Sequence, residues 1–304
     1  VLVAVEHRGY SLSLAGGRVR LGKNPQALVN DEPVRKMFDP SRETHRFAVV
    51  TDTHIGGYQF QFGFLKRVFE EAERRGCRFV AHAGDHVDGS TKMHAGFEYE
   101  LALPSATAQA NAAIAAYNHC GIPLIGIGGN HDGSHHKTSG LDVCAMIAAG
   151  CEQFKYIGPI QGWIEGPNED PNFIRLFHPG DGCSYALSYK DQKTAEFLAL
   201  SGEKMPGGFH FTGHYHKFNS MRGPNHARYF LAPAACGITD FMKARRLINT
   251  AGALFIEFTL DAKGRVDRCI VEDVVLAPEH WVRCDYSDLR PKRVPISTAG
   301  IWKV

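Results

Sequence analysis

Five times along this chain a short apolar run gives way at once to a knot of histidine, aspartate and asparagine. The runs are Phe47-Ala48-Val49-Val50-Thr51, Phe79-Val80-Ala81, Ile122 to Ile127, Ile174 to Phe177 and Phe209 to Thr212. Continuous apolar runs bounded by turn signals fit strands buried on both faces, as in a sheet covered on each side. The knots are Asp52-Thr53-His54, Gly84-Asp85-His86-Val87-Asp88, Gly129-Asn130-His131-Asp132, His178-Pro179-Gly180 and Gly213-His214-Tyr215-His216. They fall just past the strand ends, where open α/β sheets build their ligand sites.

The intervening segments complete an α/β pattern. Phe64, Leu65, Val68, Phe69 and Ala72 recur at helical spacing before Gly76, so the first two runs frame a βαβ unit. Ser105 can cap an alanine-rich helix running to about Cys120, and polar loops are expected after each run. From Phe173 onward strands are expected to dominate, at 174–177, 184–188, 209–212 and 229–231, with a hairpin of 253–260 and 265–274 around Asp261-Ala262-Lys263-Gly264. A second sheet follows. The 304 residues suffice to bury two sheets with helices on their outer faces in one large domain.

Four segments are expected: 1–25, 26–46, 47–280 and 281–304. The first carries a hairpin, alternating apolar and polar on both sides of Ala15-Gly16-Gly17. With Glu6-His7-Arg8-Gly9 before it, the hairpin is similar to the end of a winged-helix module, or else it extends a sheet edge. The second, rich in Pro, Asn, Asp and charge, reads as a linker or peripheral wrap. The third is the main domain, and the last a basic, proline-punctuated extension through Arg290-Pro291-Lys292-Arg293.

Hydrophobic residues at 44% and charged residues at 22% exclude a disordered or fibrous chain. No run of about 20 apolar residues is present and the N-terminus lacks signal-peptide zones, so a soluble cytoplasmic protein without a membrane partner is expected. The chain begins at Val1, which leaves a processed N-terminus open. Eight scattered cysteines with no C-x-x-C pair point to buried thiols. A formal charge of +2 neither requires nor excludes a polyanionic partner.

Imidazole, carboxylate and carboxamide donors without thiolate suit transition metals, manganese foremost, with iron, zinc, cobalt or nickel as alternatives. There are enough donors for two ions. Two ions about 3.5–4 Å apart can generate hydroxide near neutral pH and clamp a phosphate, which is hydrolytic chemistry. Each knot alone has a plain structural reading, as a polar loop or a turn; the ordered set of five carries the signal.

In this order, the five knots resemble the calcineurin-like metallophosphoesterase superfamily over residues 52–216. The resemblance implies a four-layer αββα sandwich of two mixed sheets flanked by helices. It also implies that Asp52, His54 and His216 hold one metal, that Asn130, His178 and His214 hold the second, and that Asp85 bridges them. His131 would be the general acid, with Asp132 or another carboxylate orienting its ring. Asp88 reads as a supporting residue.

Protein phosphatases of that superfamily carry Asp-Arg-Gly in the second knot and end the third in glutamate. Here Gly89-Ser90 follows Asp88, and the third knot ends in Asp132. The run from His178 to Lys190, with Gln192-Lys193 and Gly213-His214-Tyr215-His216-Lys217, resembles instead the phage and prokaryotic DNA-repair-exonuclease-like branch. A nuclease acting on DNA or RNA is therefore the leading expectation. A small-molecule nucleotide phosphodiesterase or phosphatase is the alternative, and a non-catalytic nucleic-acid-binding module a third. Lys190, Lys193 and Lys217 read as cations near the site or as surface lysines, and His135 and His136 as substrate contacts or exposed loop residues. Tyr215 reads as packing or as a stacking surface. His82, His94, His119, His210, His226 and His280 are assigned no role. Lys243, Arg245 and Arg246 read as a solvated helix face or a phosphate-backbone contact.

Overall fold

The computed structural model describes residues 10–15, 18–23, 33–170, 172–182, 186–200, 207–223 and 226–289. Strands β1 (Tyr10–Ala15) and β2 (Arg18–Lys23), the two arms of the expected hairpin, pair antiparallel with Ala15 opposite Arg18. Its Gly16-Gly17 turn, the lead-in from Glu6 to Gly9 and the basic tail from Arg290 lie outside the described residues.

The apolar runs become the centre of two sheets. In the first, β3 (His45–Val50), β4 (Val80–His82), β5 (Leu124–Gly126) and β6 (Phe154–Tyr156) lie parallel and adjacent. Beyond them β12 (Gly252–Leu260) runs antiparallel to β3, and β13 (Val266–Val275) closes that edge. The second sheet has the order β10 (Asn219–Arg222), β11 (Arg228–Leu231), β9 (Phe209–Thr212), β8 (Ile174–Phe177), β7 (Gln161–Ile164), with β11, β9 and β8 parallel.

Strand alternation sorts side chains into layers. Phe47, Val49, Phe79, Ala81 and Ile125 face Ile174, Leu176, Phe209, Phe211 and Phe230 between the sheets. The alternate residues Ala48, Val50, Val80 and Leu124 meet the helices on the outer face. There α1 (Phe62–Arg74) buries Phe64, Leu65, Val68, Phe69 and Ala72, the stripe expected from its sequence. Next to it pack α2 (Ala106–Tyr117), capped by Ser105 Oγ accepting from Ala108 N at 3.2 Å, and α4 (Val143–Gly150). On the far side α5 (Tyr189–Leu200) sets Ala195 and Leu198 against Ala227 and Tyr229. Helices, sheet, sheet and helix make the four layers.

Three local expectations change. Residues 186–188, expected in a strand, form a bend and turn into α5; the Ser188 carbonyl accepts from Gln192 N at 3.0 Å, so helix initiation overrides the short alternation. The polar stretch after β5 is the first turn of α3 (Asn130–Ser139), in which Gly133 N bonds to Gly129 O at 2.9 Å. β6, β7 and β10 lie where no strand was expected. Before the main sheet, Val34 and Phe38 are buried, and Phe38 meets Phe47, Phe79, Phe173 and Phe258 edge-on. After it, Tyr286 Oη donates to Gly57 O at 2.7 Å, fixing the loop that follows the first knot. No helix among the described residues is long and apolar enough to cross a membrane.

Candidate metal centre

Because β3, β4, β5, β8 and β9 share one direction within their sheets, the residues after them collect at one end of the sandwich. The chain turns sharply there. Asp52, His54, Asp85, His214 and His216 all take positive φ, between 47° and 81°. Non-glycine residues in that region cost on the order of 1–3 kcal/mol each and persist where the surroundings over-determine them. Gly84 makes the crossing possible: at φ 93°, a Cβ there would stand 2.4 Å from His178 Nδ1 and 2.7 Å from Gly128 O.

All seven residues proposed from the sequence as ligands meet in one place. His54 Nε2 lies 3.2 Å from His216 Nε2, 3.8 Å from Asp52 Oδ1 and 4.0 Å from Asp85 Oδ2, while His216 Nε2 lies 3.3 Å from Asp52 Oδ1. On the other side, Asn130 Oδ1 is 3.1 Å from His178 Nε2 and 2.8 Å from His214 Nδ1. Asp85 Oδ2 is 3.1 Å from His178 Nε2. Asp85 thus belongs to both halves: with His54 and His131, and with His178 and His214, it forms groups able to hold a metal ion.

The outer nitrogen of each imidazole decides what the inner one can do. His54 Nδ1 faces Asp88 Oδ1 at 3.1 Å, His178 Nδ1 faces Ala83 O at 2.7 Å, His214 Nε2 faces Asp181 O at 2.6 Å and His216 Nδ1 faces Asn249 Oδ1 at 3.0 Å. The carboxylate and the two carbonyls can only accept, and the Asn249 amide presents its oxygen, so the outer nitrogens carry the protons. In the neutral rings, every inner nitrogen is then a lone pair. These lone pairs converge with two carboxylates and an amide oxygen, and the buried Asp85 Oδ2 faces imidazole nitrogens, His178 Nε2 at 3.1 Å and His54 Nε2 at 4.0 Å. Acceptors facing acceptors in a buried space fit divalent cations, and the donor set suits a transition metal.

The charges agree. Burial would lower His178, yet the Asp85 carboxylate brings it up to about 9. Burial likewise opposes the rise of His54 and His216, and hydrogen bonding to the Asp52 and Asp88 carboxylates and the charge of Asp52 override it. Asp52 and Asp85 are held below the carboxylate range by the histidines around them, against their own burial. The field that retains these protons would attract a metal cation.

His131 stands beside this cluster, its ring perpendicular to that of His54 at 4.5 Å between centroids. Its backbone N–H donates to Asp85 Oδ1 at 2.8 Å and its Nδ1 faces Asp88 O at 2.7 Å. Burial, partly opposed by Asp85, depresses its pKa to about 4. The expected partnership with Asp132 is corrected. Asp132 accepts from the backbone N–H of Gly129, His86 and Val87 at 2.9–3.1 Å, so it fixes the second knot rather than orienting the His131 ring. Burial, reinforced by Asp85, pushes Asp132 up to about 7.

Sequence reasoning missed three contributors. Asp181, three residues past His178, holds His214 through its carbonyl, and its carboxylate takes Tyr215 Oη and Lys190 Nζ. Asn249 holds His216 from a distant loop, which no local pattern reveals. His94, given no role, reaches Asp88 O at 2.8 Å and forms a further potential metal-holding group with Asp88 and His131. Among the residues left open, His135 is buried against Gln109, Lys217 is buried, and His136 and Lys193 are exposed.

A cleft of about 420 Å³ opens over the centre. Its floor is His54, Asp85, Asn130, His131, His214 and His216, and Met93, Phe241, Leu247 and Ile248 are among its walls.

A family model described as calcineurin-like phosphoesterase matches residues 45–218. Such a family implies a centre of two divalent metals. No curated protein sequence matches the chain. Among solved structures, the chain is similar to a 5'-nucleotidase precursor from Thermus thermophilus at 12% identity and a TM-score of 0.42, covering 81% of this chain and 57% of that one. It thus spans little more than half the nucleotidase. A dimetal phosphatase from Danio rerio is similar at 10% identity and a TM-score of 0.41, covering 76% of this chain and 96% of the phosphatase.

Proposed function

The chain belongs to the calcineurin-like phosphoesterase family, and from that premise we propose that it hydrolyses a phosphate ester seated over two divalent metal ions. Asp52, His54 and His216 would hold one ion, and Asn130, His178 and His214 the other, with Asp85 between them. The convergence of lone pairs carries this reading: the outer hydrogen bonds of four histidines make the inner nitrogen of each neutral ring an acceptor that faces carboxylate and amide oxygens. Two ions held there would supply positive charge to neutralise the phosphate oxygens and would lower the pKa of a water, with manganese the first choice.

The protein's own residues position and protonate. The His131 backbone N–H orients Asp85, and its ring, fixed through Nδ1 on Asp88 O, keeps Nε2 for proton exchange with a leaving oxygen. A phosphate anion beside that ring opposes the burial that depresses its pKa and so favours the imidazolium. Replacing His131 with alanine is expected to lower kcat by about 10²–10⁴-fold on an alkyl ester while the metal content holds. Loss of the metals together with activity would instead make His131 a structural support of the centre.

Of the finer readings, a compact phosphodiester or nucleotide-like ester is favoured over a nucleic-acid strand. No Lys or Arg lines the cleft among the described residues, whereas strand-binding grooves are cationic. One observation keeps the nuclease reading: α6 (Asp240–Arg245), at the cleft edge, exposes Lys243 and Arg245, followed by exposed Arg246. Elemental analysis, with turnover of bis-para-nitrophenyl phosphate and a labelled oligonucleotide by manganese-loaded protein, decides between them. Turnover of the small diester alone supports the compact substrate, and cleavage of the oligonucleotide supports the nuclease. No metal and no turnover would overturn the catalytic reading.

A further inference from the structure

The cleft is two-faced. Its floor is acceptors and charge, but one wall is apolar and exposed: Met93 and Phe241 are each 38% exposed and Ile248 is 52% exposed, with Leu247 between the last two. Large apolar side chains left open at the mouth of a polar site are what a ligand groove presents.

The wall is held as firmly as the floor. Buried Glu100 accepts the backbone N–H groups of Asp240 and Phe241, fixing the start of α6, and Thr239 Oγ1 accepts from Met242 N at 3.1 Å. Leu247 N bonds to Met242 O at 2.9 Å, and Thr250 N bonds to His216 O at 2.8 Å, so the strip from Phe241 to Ile248 is tied to the centre itself. Phe97 packs edge-on against Phe241 with ring centroids 5.7 Å apart, and the Arg245 guanidinium lies 5.6 Å from the same ring. Met93 is carried by the turn whose His94 bonds to Asp88 O.

We propose that this wall seats the organic group of the substrate, and that this group is a flat aromatic ring. The proposal rests on the phosphoesterase reading above, because phosphate over the floor places its ester group against the wall. With no lysine or arginine lining the cleft among the described residues, the wall itself offers shape and apolar contact, for which a ring packed on Phe241, Met93 and Ile248 is the matching chemistry. An aryl ester and a nucleotide ester both present such a ring.

Three diesters with the same leaving group test it: methyl, phenyl and thymidine-5' para-nitrophenyl phosphate, assayed with manganese-loaded protein. The phenyl ester is expected to exceed the methyl ester in kcat/KM by at least about tenfold. Preference for the thymidine ester over the phenyl ester would identify the ring as a nucleobase, and the reverse order a simple aryl group. Phe241→Ala and, independently, Ile248→Ser are expected to shrink the phenyl-to-methyl ratio. Calorimetric binding of phenylphosphonate against methylphosphonate should show the same preference without turnover. Because the para-nitrophenyl group is itself a flat ring able to take the seat in each ester, the phosphonates decide: equal affinity for phenylphosphonate and methylphosphonate in an active, metal-loaded protein overturns the aromatic seat and leaves the phosphoesterase reading standing. No turnover of any ester overturns both.

Discussion

Two sets of buried histidines lie in this protein, and they behave oppositely. His82 and His86, the latter within the second knot, are stacked with centroids 3.8 Å apart and fully buried, and burial lowers both, His86 to about 3. His54, His178 and His216 are buried too, yet they rise. The difference lies in the partners. His86 is closed off by Tyr117 Oη at 2.6 Å and Ile127 O at 2.8 Å, whereas the rising histidines turn a nitrogen toward carboxylates. His214, whose inner nitrogen faces the Asn130 amide, is lowered, burial first and His178 second, so contact with the carboxylates matters more than membership of the cluster. The lesson is that burial makes an imidazole neutral by default, and anionic neighbours make it a cation site.

The sharpest way to break this contrast is to remove the shared anion. Asp85→Asn should abolish turnover and strip both metals by elemental analysis, a larger loss than the roughly 10–100-fold that removal of an outer partner costs. Retention of two metals per chain would show that Asp85 is not the shared group.

Asn249→Ala tests the outer hydrogen bonds. With its acceptor gone, His216 can place its proton on either nitrogen, and metal affinity should weaken by about 10–100-fold in a metal titration. Asn249→Asp, which restores an acceptor, should recover most of it. Equal weakening in both variants would mean that Asn249 only packs.

The closed pair should respond in stability. Tyr117→Phe leaves His86 Nδ1 a buried acceptor without a donor, so unfolding in urea should become easier by about 1–3 kcal/mol. Metal affinity should stay within twofold, and a large loss of metal would join the two sets that the comparison separates.

How much of this was legible in the sequence depends on range. Asp52, His54, Asp85, Asn130, His178, His214 and His216 each follow directly on an apolar strand, and a strand end is a local signal that a shared sheet edge turns into proximity. The helix stripes and the Ser105 cap were local as well. Asn249 and Asp181 were not legible in that way, because what selects them is a nitrogen from another segment. Asp132 looked like a partner of His131 only because it is adjacent in sequence. In the helix those neighbours diverge, and its carboxylate turns back to the N–H groups of residues 86, 87 and 129. Residues 184 and 185 of the expected strand lie outside the described residues, and over 186–188 it gave way because a few alternating residues do not outweigh a helix start.

The smallest effect isolates burial without any anion. His210 is fully buried between Phe177 and Tyr229, neither ring nitrogen has a hydrogen-bond partner, and burial, with Arg175 adding to it, holds its pKa well below 6.5. Below about pH 6.5 the unfolded chain takes up a proton that the native state refuses. This residue therefore withdraws stability as pH falls, at up to about 1.4 kcal/mol per pH unit, and contributes nothing to the slope above pH 6.5. His210→Phe should remove that slope, so that the variant gains about 1 kcal/mol on wild type between pH 7.5 and pH 5.5 in urea unfolding. An unchanged difference between the two proteins across that range would show that His210 takes up its proton in the native state, and that burial alone does not decide the charge of a histidine here.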